Sequence, residues 1–301
     1  MEDCVRVNTY KKHGLETVKV SLLVPCYNQA RHIGGVIKAV QAQTRPPDEV
    51  IIVDDASTDD SLRVIAQFPV TLQQHKNNLG PAAARNTALK VATGDILLYL
   101  DADAYPRPGL IEKMILAYQA LDIQTLRTLG GIGGRGLEVH PKSLADRWRA
   151  LHASQNFGTS YKKQVPFLFG LCASYRRDVL EEVGGFDDAF PINAGEDFEL
   201  GYRMRKAGYH LHYDPALVVE HYHADTLESL MRNQANWYYW GYIAKRKNHA
   251  HPWTLWAGAL KRLFSQTLSD LFLHQDGKLA HLSLDIFSSR LSALYKATFS
   301  R

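Results

Sequence analysis

The sequence predicts an α/β protein in which helices flank a mixed, mostly parallel sheet, and a helical region follows at the C-terminal end. Short apolar runs alternate with helical patterns from Val18 to Leu100, which is typical of βαβ units. After Thr226 only helical periodicity is present. The chain has 301 residues, of which 46% are hydrophobic and 22% charged. It is therefore long enough to bury a large core, and its composition argues against disorder.

The predicted elements follow one another at short spacing. We expect strands over 18–24, 49–53, 70–72, 96–100, 210–213 and 217–220, helices over 33–43, 62–68, 81–91 and 177–183, and a tight strand or loop over 130–136. Pro81 and Gly94 are the usual start and stop signals for the third helix. Apolar residues spaced three and four apart from Trp253 to Leu271 predict one face of an amphipathic helix.

The positive charge of the chain is concentrated near its C-terminal end. Residues 1–225 hold 25 Lys and Arg against 27 Asp and Glu, whereas residues 226–301 hold 10 against 4. The same region contains an aromatic cluster at 237–242. Basic, aromatic helices are typical of a peripheral membrane contact. The alternative is a helical cap packed on the rest of the chain, or on a second subunit in a homo-oligomer, and the apolar stripe favours this alternative because such stripes usually face a core.

Cysteine usage and the N-terminal residues indicate the compartment. Cys4, Cys26 and Cys172 lie far apart and form no C-x-x-C pair, which argues against a disulfide framework or a cysteine zinc site. The N-terminal residues are charged throughout, and no stretch reaches the roughly 18 apolar residues of a spanning helix. We therefore expect a cytoplasmic protein, with the inner face of the membrane as a neighbour if the basic region binds lipid.

Polar clusters follow three of the predicted strands. They are Pro25-Cys26-Tyr27-Asn28, Asp54-Asp55 and Asp101-Ala102-Asp103. Open parallel sheets bind ligands beyond the carboxyl ends of their strands, so we expect the three clusters to converge on one site. Asp101 and Asp103 fall on the same side of an extended chain, where they can share a divalent cation and a ribose hydroxyl. A solvated loop is the alternative explanation for an isolated D-x-D.

Two further groups of residues have both a structural and a functional interpretation. Glu196 and Asp197 can stabilise a helix N-terminus, or supply the general base for an acceptor hydroxyl. His221 and His223 can be a metal-ligand pair or two structural histidines at a strand end. The carboxylate pair upstream, which needs a cation, favours the metal interpretation.

Six motifs in this order resemble the family 2 glycosyltransferases of GT-A fold. The resemblance covers about Val18 to Asp225, and the helical region lies outside it. The motifs are Val24-Pro25-Cys26-Tyr27-Asn28, Val53-Asp54-Asp55-Ala56-Ser57-Thr58-Asp59, Asn78-Leu79-Gly80-Pro81-Ala82-Ala83-Ala84-Arg85-Asn86, Leu100-Asp101-Ala102-Asp103, Gly184-Gly185-Phe186-Asp187 and Glu196-Asp197-Phe198-Glu199-Leu200-Gly201-Tyr202-Arg203.

The resemblance implies a nucleotide-binding half over 18–105 and an acceptor and catalytic half over 106–225, between an N-terminal extension over 1–17 and the helical region over 226–301. The residues that it implies for the nucleotide are Pro25, Tyr27 and Asn28 around the base, Asp54 and Asp55 as readers of base and ribose, Arg85, and Asp101 near the ribose. A UDP-sugar is the preferred donor, the hydroxyl acceptor is unknown, and no nucleic-acid partner is expected.

For the reaction itself, the resemblance implies an inverting sugar transfer, in surface glycan or glycoconjugate biosynthesis. Asp197, with Glu196 beside it, matches the catalytic base, and Arg203 is expected to face the diphosphate. The implied cofactor is Mn²⁺ or Mg²⁺, held by Asp103, with Asp101 beside it, and by His221 or His223. Imidazole ligation favours Mn²⁺, because Mg²⁺ prefers oxygen ligands.

Two other function classes are compatible with such a sheet. A non-catalytic module that binds sugar nucleotides or glycans would be expected to lose the base or the D-x-D, and both are present. A sugar-phosphate nucleotidyltransferase would be expected to carry a Gly- and Arg-rich phosphate loop after the first strand, where this chain has Pro25-Cys26-Tyr27-Asn28-Gln29. We therefore expect a glycosyltransferase.

Overall fold

The computed structural model describes residues 18–139, 141–249, 251 and 253–299, so the expected N-terminal extension over 1–17 lies outside the described residues. The chain divides into two compact units. The first holds the described residues up to Leu137, Gln155–Ile192 and Leu200–Tyr222, and the second holds Glu138–Ser154, Asn193–Glu199 and the described residues from His223 onward. The border expected between 225 and 226 stays a prediction.

Strands and helices alternate as expected from Val20 to Leu100. The strands are β1 (Val20–Cys26), β2 (Glu49–Asp54), β3 (Thr71–Gln74), β4 (Ile96–Leu100), β5 (Ala104–Pro106), β6 (Leu129–Glu138), β7 (Cys172–Arg176) and β8 (His210–His221). The helices are α1 (Ile33–Gln41), α2 (Ser61–Ile65), α3 (Pro81–Val91), α4 (Leu110–Gln119), α5 (Ile123–Thr128), α6 (Leu144–His152), α7 (Arg177–Glu182), α8 (Glu196–Lys206), α9 (Leu227–Lys247), α10 (Trp253–Leu268) and α11 (Gly277–Phe299).

The eight strands form one mixed sheet in the order β3-β2-β1-β4-β7-β6-β8-β5. The first four strands along the chain pair in parallel, whereas β7 pairs antiparallel with β4 and β6, and β5 pairs antiparallel with β8. The register that places Cys26 beside Asp54 brings the carboxyl ends of β1 and β2 to the same edge. The expected α/β class with C-terminal helices is confirmed.

Alternate residues of the buried strands face two apolar cores. In β1, Val20, Leu22 and Val24 belong to the core that includes α1 and α4, whereas Leu23 belongs to the core that includes α3 and α7. Successive side chains of a strand point to opposite faces, so the continuous apolar runs of the sequence reflect a sheet covered on both faces.

The glycines of β6 allow close approach of neighbouring backbones. A Cβ atom on Gly131 would lie 2.3 Å from the carbonyl oxygen of Ser174, and one on Gly134 would lie 2.4 Å from that of Leu217. Such distances leave no room for a side chain. Of the two alternatives expected for 130–136, a tight strand or a loop, the structure has the strand.

The expectation of two strands over 210–213 and 217–220 is wrong, because β8 runs without interruption from His210 to His221. Asp214-Pro215-Ala216 resembles a turn in the sequence. The pairing of β5 with β8 covers only Val219–His221, so it does not require the N–H that Pro215 lacks.

The second unit is helical, as expected for residues after Thr226. Trp148 of α6 packs with Leu230 of α9 and with Leu279, Leu282 and Ile286 of α11. This packing explains why residues 138–154, which the sequence assigned to the catalytic domain, group with the helical region. A π-helical segment, Ser269–Leu273, follows α10. In the described part of the chain, no helix has the length and apolar character needed to cross a membrane.

Candidate active site

The predicted clusters after β1, β2 and β4 lie in the first unit. The Asp55 N–H donates to the carbonyl oxygen of Cys26 at 2.8 Å, which extends the pairing of β1 and β2 by one residue. The sheet order places β1 between β2 and β4. The carboxyl ends of these three parallel strands therefore form one continuous edge that carries Asn28, Asp54 and Asp101.

Asp54 and Asp55 are both buried, but their carboxylates have different surroundings. Asp54 Oδ2 accepts the Ser57 N–H at 3.1 Å, and Asp54 Oδ1 has no hydrogen-bond partner among the described residues. Because a buried carboxylate oxygen is costly to leave without a donor, this atom has the capacity to bind a donor group of a ligand.

The Asp55 carboxylate is occupied by groups of the chain itself. Oδ1 lies 2.6 Å from His75 Nδ1 and accepts the Leu79 N–H at 2.9 Å, and Oδ2 accepts the Gly80 N–H at 2.8 Å. Thr87 Oγ1 lies 2.9 Å from His75 Nε2. These contacts hold the loop before α3, so the geometry indicates that Asp55 positions this loop. Its expected role as a reader of the nucleotide stays a prediction.

The loop after β1 is held to the loop after β2 through Asn28. Asn28 has a left-handed backbone conformation, with φ of 52°, which asparagine tolerates better than most residues. Its Oδ1 accepts the Thr58 N–H at 2.8 Å, and its own N–H donates to Ser57 Oγ at 2.9 Å. Pro25 is half-buried in β1, between the buried Val24 and Cys26, and Tyr27 is exposed directly after the strand. The aromatic face of Tyr27 is thus available to a planar ligand.

Asp101 lies next to a buried arginine. Arg85 Nη2 is 3.3 Å from Asp101 Oδ1, and the Arg85 guanidinium lies 5.3 Å from the centre of the Phe186 ring. Burial raises the pKa of the Asp101 carboxyl above its ordinary value, while the Arg85 guanidinium acts in the opposite direction. The arginine therefore offsets part of the cost of a negative charge at the end of β4.

Asp103 and His221 come together through the pairing of β5 with β8. Ala104 lies opposite His221, the Tyr222 N–H donates to the Asp103 carbonyl oxygen at 3.0 Å, and His221 Nε2 lies 3.6 Å from Asp103 Oδ1. This separation is long for a hydrogen bond. Two ligands at about 2.1 Å from one ion lie roughly 3 to 3.5 Å apart, so a buried carboxylate and imidazole with this spacing fit a divalent transition metal.

Glu196, Asp197 and His223 belong to the second unit. Glu196 is buried and Asp197 half-buried in the first turn of α8, which contains three acidic residues. Acidic residues stabilise the N-terminal turn of a helix, so this contribution and a catalytic role are compatible.

The main chain of His223 is bound by Arg149. Arg149 donates to the His223 carbonyl oxygen and to Asp225 Oδ2, both at 2.5 Å, and His223 Nε2 lies 3.4 Å from Asp225 Oδ1. Burial acts to raise the pKa of Asp225, but hydrogen bonds from His223 and Ser229 outweigh it and hold this pKa well below its ordinary value. Asp225 is thus the ionised partner that orients the His223 ring.

Arg203 is bound to the main chain of the first unit. Its guanidinium donates to the carbonyl oxygens of Val183, at 2.5 Å, and Gly185, at 2.8 Å. Gly184 and Gly185 have φ of 83° and 70°, so the arginine stabilises a turn that glycine makes accessible. The diphosphate contact expected for Arg203 stays a prediction.

Sequence reasoning missed two residues that organise the site. His75 comes directly after β3 and could have been found by the same strand-end argument that indicated Asp54. Asn86 binds the turn at 184–188: its Oδ1 accepts the Phe186 N–H at 2.8 Å, and its Nδ2 donates to the Phe186 carbonyl oxygen at 2.8 Å and to Asp188 Oδ1 at 2.7 Å. No local signal connects Asn86 with a segment that lies one hundred residues away.

Among curated proteins, the pre-mycofactocin glycosyltransferase of Mycobacterium tuberculosis is 28% identical to this chain over 295 residues, which is 90% of this chain and 56% of that protein. The chain thus spans about half the length of this relative. Glycosyltransferase AglE of Haloferax volcanii is 26% identical over 258 residues, 83% of this chain and 79% of that protein.

Solved structures show the same fold at lower sequence identity. The mannosyltransferase PcManGT from Pyrobaculum calidifontis, in complex with GDP-Man and Mn²⁺, has a TM-score of 0.65 and 19% identity over 100% of this chain and 94% of that chain. Residues 1–349 of S. aureus TarS, in complex with UDP-GlcNAc, have a TM-score of 0.56 and 17% identity over 92% and 81%.

Two family models match the sequence. The model described as "Glycosyl transferase family 21" matches residues 153–265. The model described as "Glycosyl transferase family 2" matches residues 21–184, which is more than half of the chain. The match contains β1 except its first residue, β2 to β4, Asp54, Asp101 and Asp103. The chain therefore belongs to glycosyl transferase family 2.

Proposed function

We propose that the protein is an inverting glycosyltransferase that moves a sugar from a nucleotide-diphosphate donor to a hydroxyl group of an acceptor in glycoconjugate biosynthesis. One observation carries the proposal: Asp103 lies 3.6 Å from His221, two residues beyond Asp101 on the sheet edge that also carries Asp54. This edge combines a candidate cation site with a hydrogen-bond acceptor for a nucleotide. The two structural relatives bind GDP-Man with Mn²⁺ and UDP-GlcNAc, which supports a sugar nucleotide as donor.

The nucleoside end of the donor is assigned to the loops after β1 and β2. The base stacks on Tyr27 and donates to Asp54 Oδ1, whose hydrogen-bonding capacity no described residue uses. Pro25 and Asn28 fix the position of Tyr27. Asp55 fixes the loop before α3 through its hydrogen bonds. Asp101 accepts from the ribose, and Arg85 compensates its charge.

The diphosphate end is assigned to Asp103 and His221, with His223, two residues further along the chain, as an additional ligand. These side chains fit Mn²⁺ better than Mg²⁺, because Mg²⁺ prefers a shell of oxygen atoms and water. The cation, when bound, neutralises the negative charge that builds on the diphosphate as the sugar departs.

Proton transfer is assigned to the first turn of α8. Asp197 accepts the proton of the acceptor hydroxyl, whose oxygen attacks the anomeric carbon from the face opposite the diphosphate, so that the configuration inverts. Glu196, buried beside it, completes the acidic turn. The bond from the sugar to the diphosphate oxygen breaks as the new glycosidic bond forms.

Thermal unfolding of the purified protein with UDP, GDP, dTDP or CDP, each with and without Mn²⁺, tests the donor assignment. A nucleotide that binds the folded state raises the midpoint by mass action. We expect a metal-dependent rise for one nucleotide, with UDP tested first, and its loss in Asp103→Ala. Asp60→Ala, which removes an exposed carboxylate paired with Arg63, should keep the rise. No rise with any of the four nucleotides contradicts the donor assignment.

The products distinguish the competing functions. With the matching sugar nucleotide and an acceptor, a glycosyltransferase releases the free nucleoside diphosphate. Pyrophosphate, formed from a sugar phosphate and a nucleoside triphosphate, would instead indicate a nucleotidyltransferase. Tight binding without release of either product across a panel of acceptors would indicate a binding module.

A further inference from the structure

The outward face of α10 and of the π-helical segment after it is apolar and exposed. We call it the α10 face; its residues are Trp253, Leu260, Phe264, Leu268, Leu271, Phe272 and Leu273. Phe264 is 65% exposed and Phe272 is 73% exposed. Single exposed apolar residues are ordinary, but a contiguous set marks an interaction site.

Within the second unit, α10 packs through the side that lies away from the α10 face, so the unit leaves that face exposed. The opposite side of α10 is already packed: Ala259 is fully buried in the core with Tyr238 and Leu294. Gln266 accepts from Arg290 at 3.0 Å. Asp270, also fully buried, lies 2.6 Å from His152 and accepts from Ser283 at 2.7 Å. Rotation of α10 to bury its outer face would break these bonds.

The sequence pattern also shows that the exposed side of α10 is a continuous apolar strip. Leu260, Phe264, Leu268 and Leu271 follow one another at intervals of four, four and three, and Trp253 lies seven residues before Leu260, so all of them share one side of the helix. The amphipathic pattern predicted from the sequence correctly describes this side. Unlike the apolar side of a helix that packs on a core, this side of α10 faces outward.

The charged side chains outside the core in residues 245–273 are all basic. Residues 245–273 contain Lys245, Arg246, Lys247, Lys261 and Arg262, and their one acidic residue, Asp270, is fully buried. Lys261 is exposed directly beside Leu260. A two-fold contact between two copies through this face would bring these cations towards their own images. A partner with an apolar interior and an anionic surface complements both the apolar side chains and the positive charge.

We propose that the α10 face docks on an anionic lipid bilayer. Along a helix that rises about 1.5 Å per residue, residues 253–273 form a strip about 30 Å long. Such a strip can lie in the plane of the interface, with its apolar side chains among the acyl chains and its lysines at the head groups. Trp253 is at one end of the strip, and an exposed tryptophan is favoured at the level of the head groups. This proposal does not depend on the sugar-transfer activity.

Co-sedimentation of the full chain with vesicles tests the proposal. We expect binding to vesicles of phosphatidylcholine with phosphatidylglycerol, weak binding to pure phosphatidylcholine, and a decrease at high salt. The double variant Phe264→Ser/Phe272→Ser should weaken binding by about tenfold for each phenylalanine. Lys261→Glu should weaken it by about tenfold as well.

Matched controls come from the first unit. Leu116→Ser/Ile123→Ser removes two exposed apolar side chains of α4 and α5, and Lys113→Glu reverses an exposed charge on α4. Both control variants should bind vesicles like the unchanged protein, and a thermal unfolding curve for each variant confirms that it folds. Binding that is equal in all variants, or absent from anionic vesicles, overturns the proposal. A concentration-dependent dimer in sedimentation velocity that Phe264→Ser/Phe272→Ser abolishes would identify a second copy as the occupant instead.

Discussion

His75 Nδ1 lies 2.6 Å from Asp55 Oδ1, and the same buried carboxylate holds the main-chain N–H groups of Leu79 and Gly80. The side chain of Asp55 thus joins the end of β2, the end of β3 and the start of α3. Gly80 has φ of 90°, and a Cβ there would lie 2.4 Å from the Pro191 carbonyl oxygen. The loop can therefore adopt its conformation only with glycine at this position and with its N–H groups bound.

We predict that Asp55→Ala lowers the free energy of unfolding by about 3 kcal/mol, because a buried N–H group, a partly buried N–H group and an imidazole lose their acceptor. Urea unfolding followed by circular dichroism measures the change. Asp60→Ala, at an exposed carboxylate, serves as the control and should change the unfolding free energy by less than about 0.5 kcal/mol. Equal stability of the two variants would contradict the positioning role of Asp55.

We predict the opposite behaviour for Asp54→Asn. The substitution removes a negative charge from a buried oxygen that has no donor among the described residues, so the unfolding free energy should stay the same or rise. The affinity for the nucleotide should fall by about tenfold or more, since a hydrogen bond to a charged acceptor is worth about 1.5 to 3 kcal/mol. Isothermal titration calorimetry with the nucleotide found by thermal unfolding measures it. Unchanged affinity would remove Asp54 from the nucleotide site.

We predict that Asp197→Asn lowers turnover by about 10² to 10⁴, because a general base contributes a factor of this size. The dissociation constant of the donor should remain nearly unchanged, as the lost interaction occurs in the transition state. Single-turnover kinetics together with donor titration separate the two quantities. Glu181→Gln on the exposed side of α7 is the control, and a turnover as high as in that control would exclude Asp197 as the base.

We predict that stability falls as the pH decreases below about 6.5, the ordinary pKa of histidine, in part because of His212. Burial lowers the pKa of His212 to about 4, and the nearby His210 and Lys163 act in the same direction. Between pH 6.5 and 4, His212 therefore binds a proton in the unfolded chain but stays neutral in the folded chain. The contribution of the neutral His212 to the free energy of unfolding is complete above the pKa of histidine in the unfolded chain. It decreases by up to roughly 3 kcal/mol as the pH falls towards 4.

Urea unfolding at several pH values, with His212→Gln beside the unchanged protein, isolates this contribution. In the unchanged protein, the Tyr161 hydroxyl lies 2.6 Å from His212 Nδ1, a contact that suits a neutral imidazole which accepts from the phenol. The variant should show a flatter dependence of the unfolding free energy on pH, whereas His281→Gln, at an exposed position of α11, should retain the original slope. Parallel curves for all three proteins would contradict the assignment.

The sequence was sufficient for the first half of the sheet because local patterns determine it. The apolar runs of β1, β2 and β4 are largely buried strands, whereas β3 is an edge strand without a buried residue. The polar residues at the ends of β1, β2 and β4 mark the edge that carries Asp54 and Asp101. Strand ends and helix starts are properties of consecutive residues, so they can be recognised without knowledge of the tertiary structure.

Where long-range partners decide the role of a residue, the sequence was insufficient. Asp54 and Asp55 are adjacent and chemically identical, and only the positions of His75 and Gly80 distinguish them. Arg203 donates to carbonyl oxygens of a turn about twenty residues away, a structural contact that no local pattern indicates, and its expected diphosphate contact stays a prediction. Helical periodicity likewise identified the apolar side of α10, but it could not indicate that the second unit leaves this side exposed.

Neighbouring residues of α3 attach it to two distant parts of the first unit: Arg85 contacts Asp101, and Asn86 binds Phe186 and Asp188. One residue inserted before Arg85, or deleted there, would turn both side chains by about 100° around the helix axis. Both attachments would be lost together. Length differences among natural relatives should therefore be absent between Pro81 and Asn86, and they should accumulate in the connection between α4 and α5, whose ends are exposed.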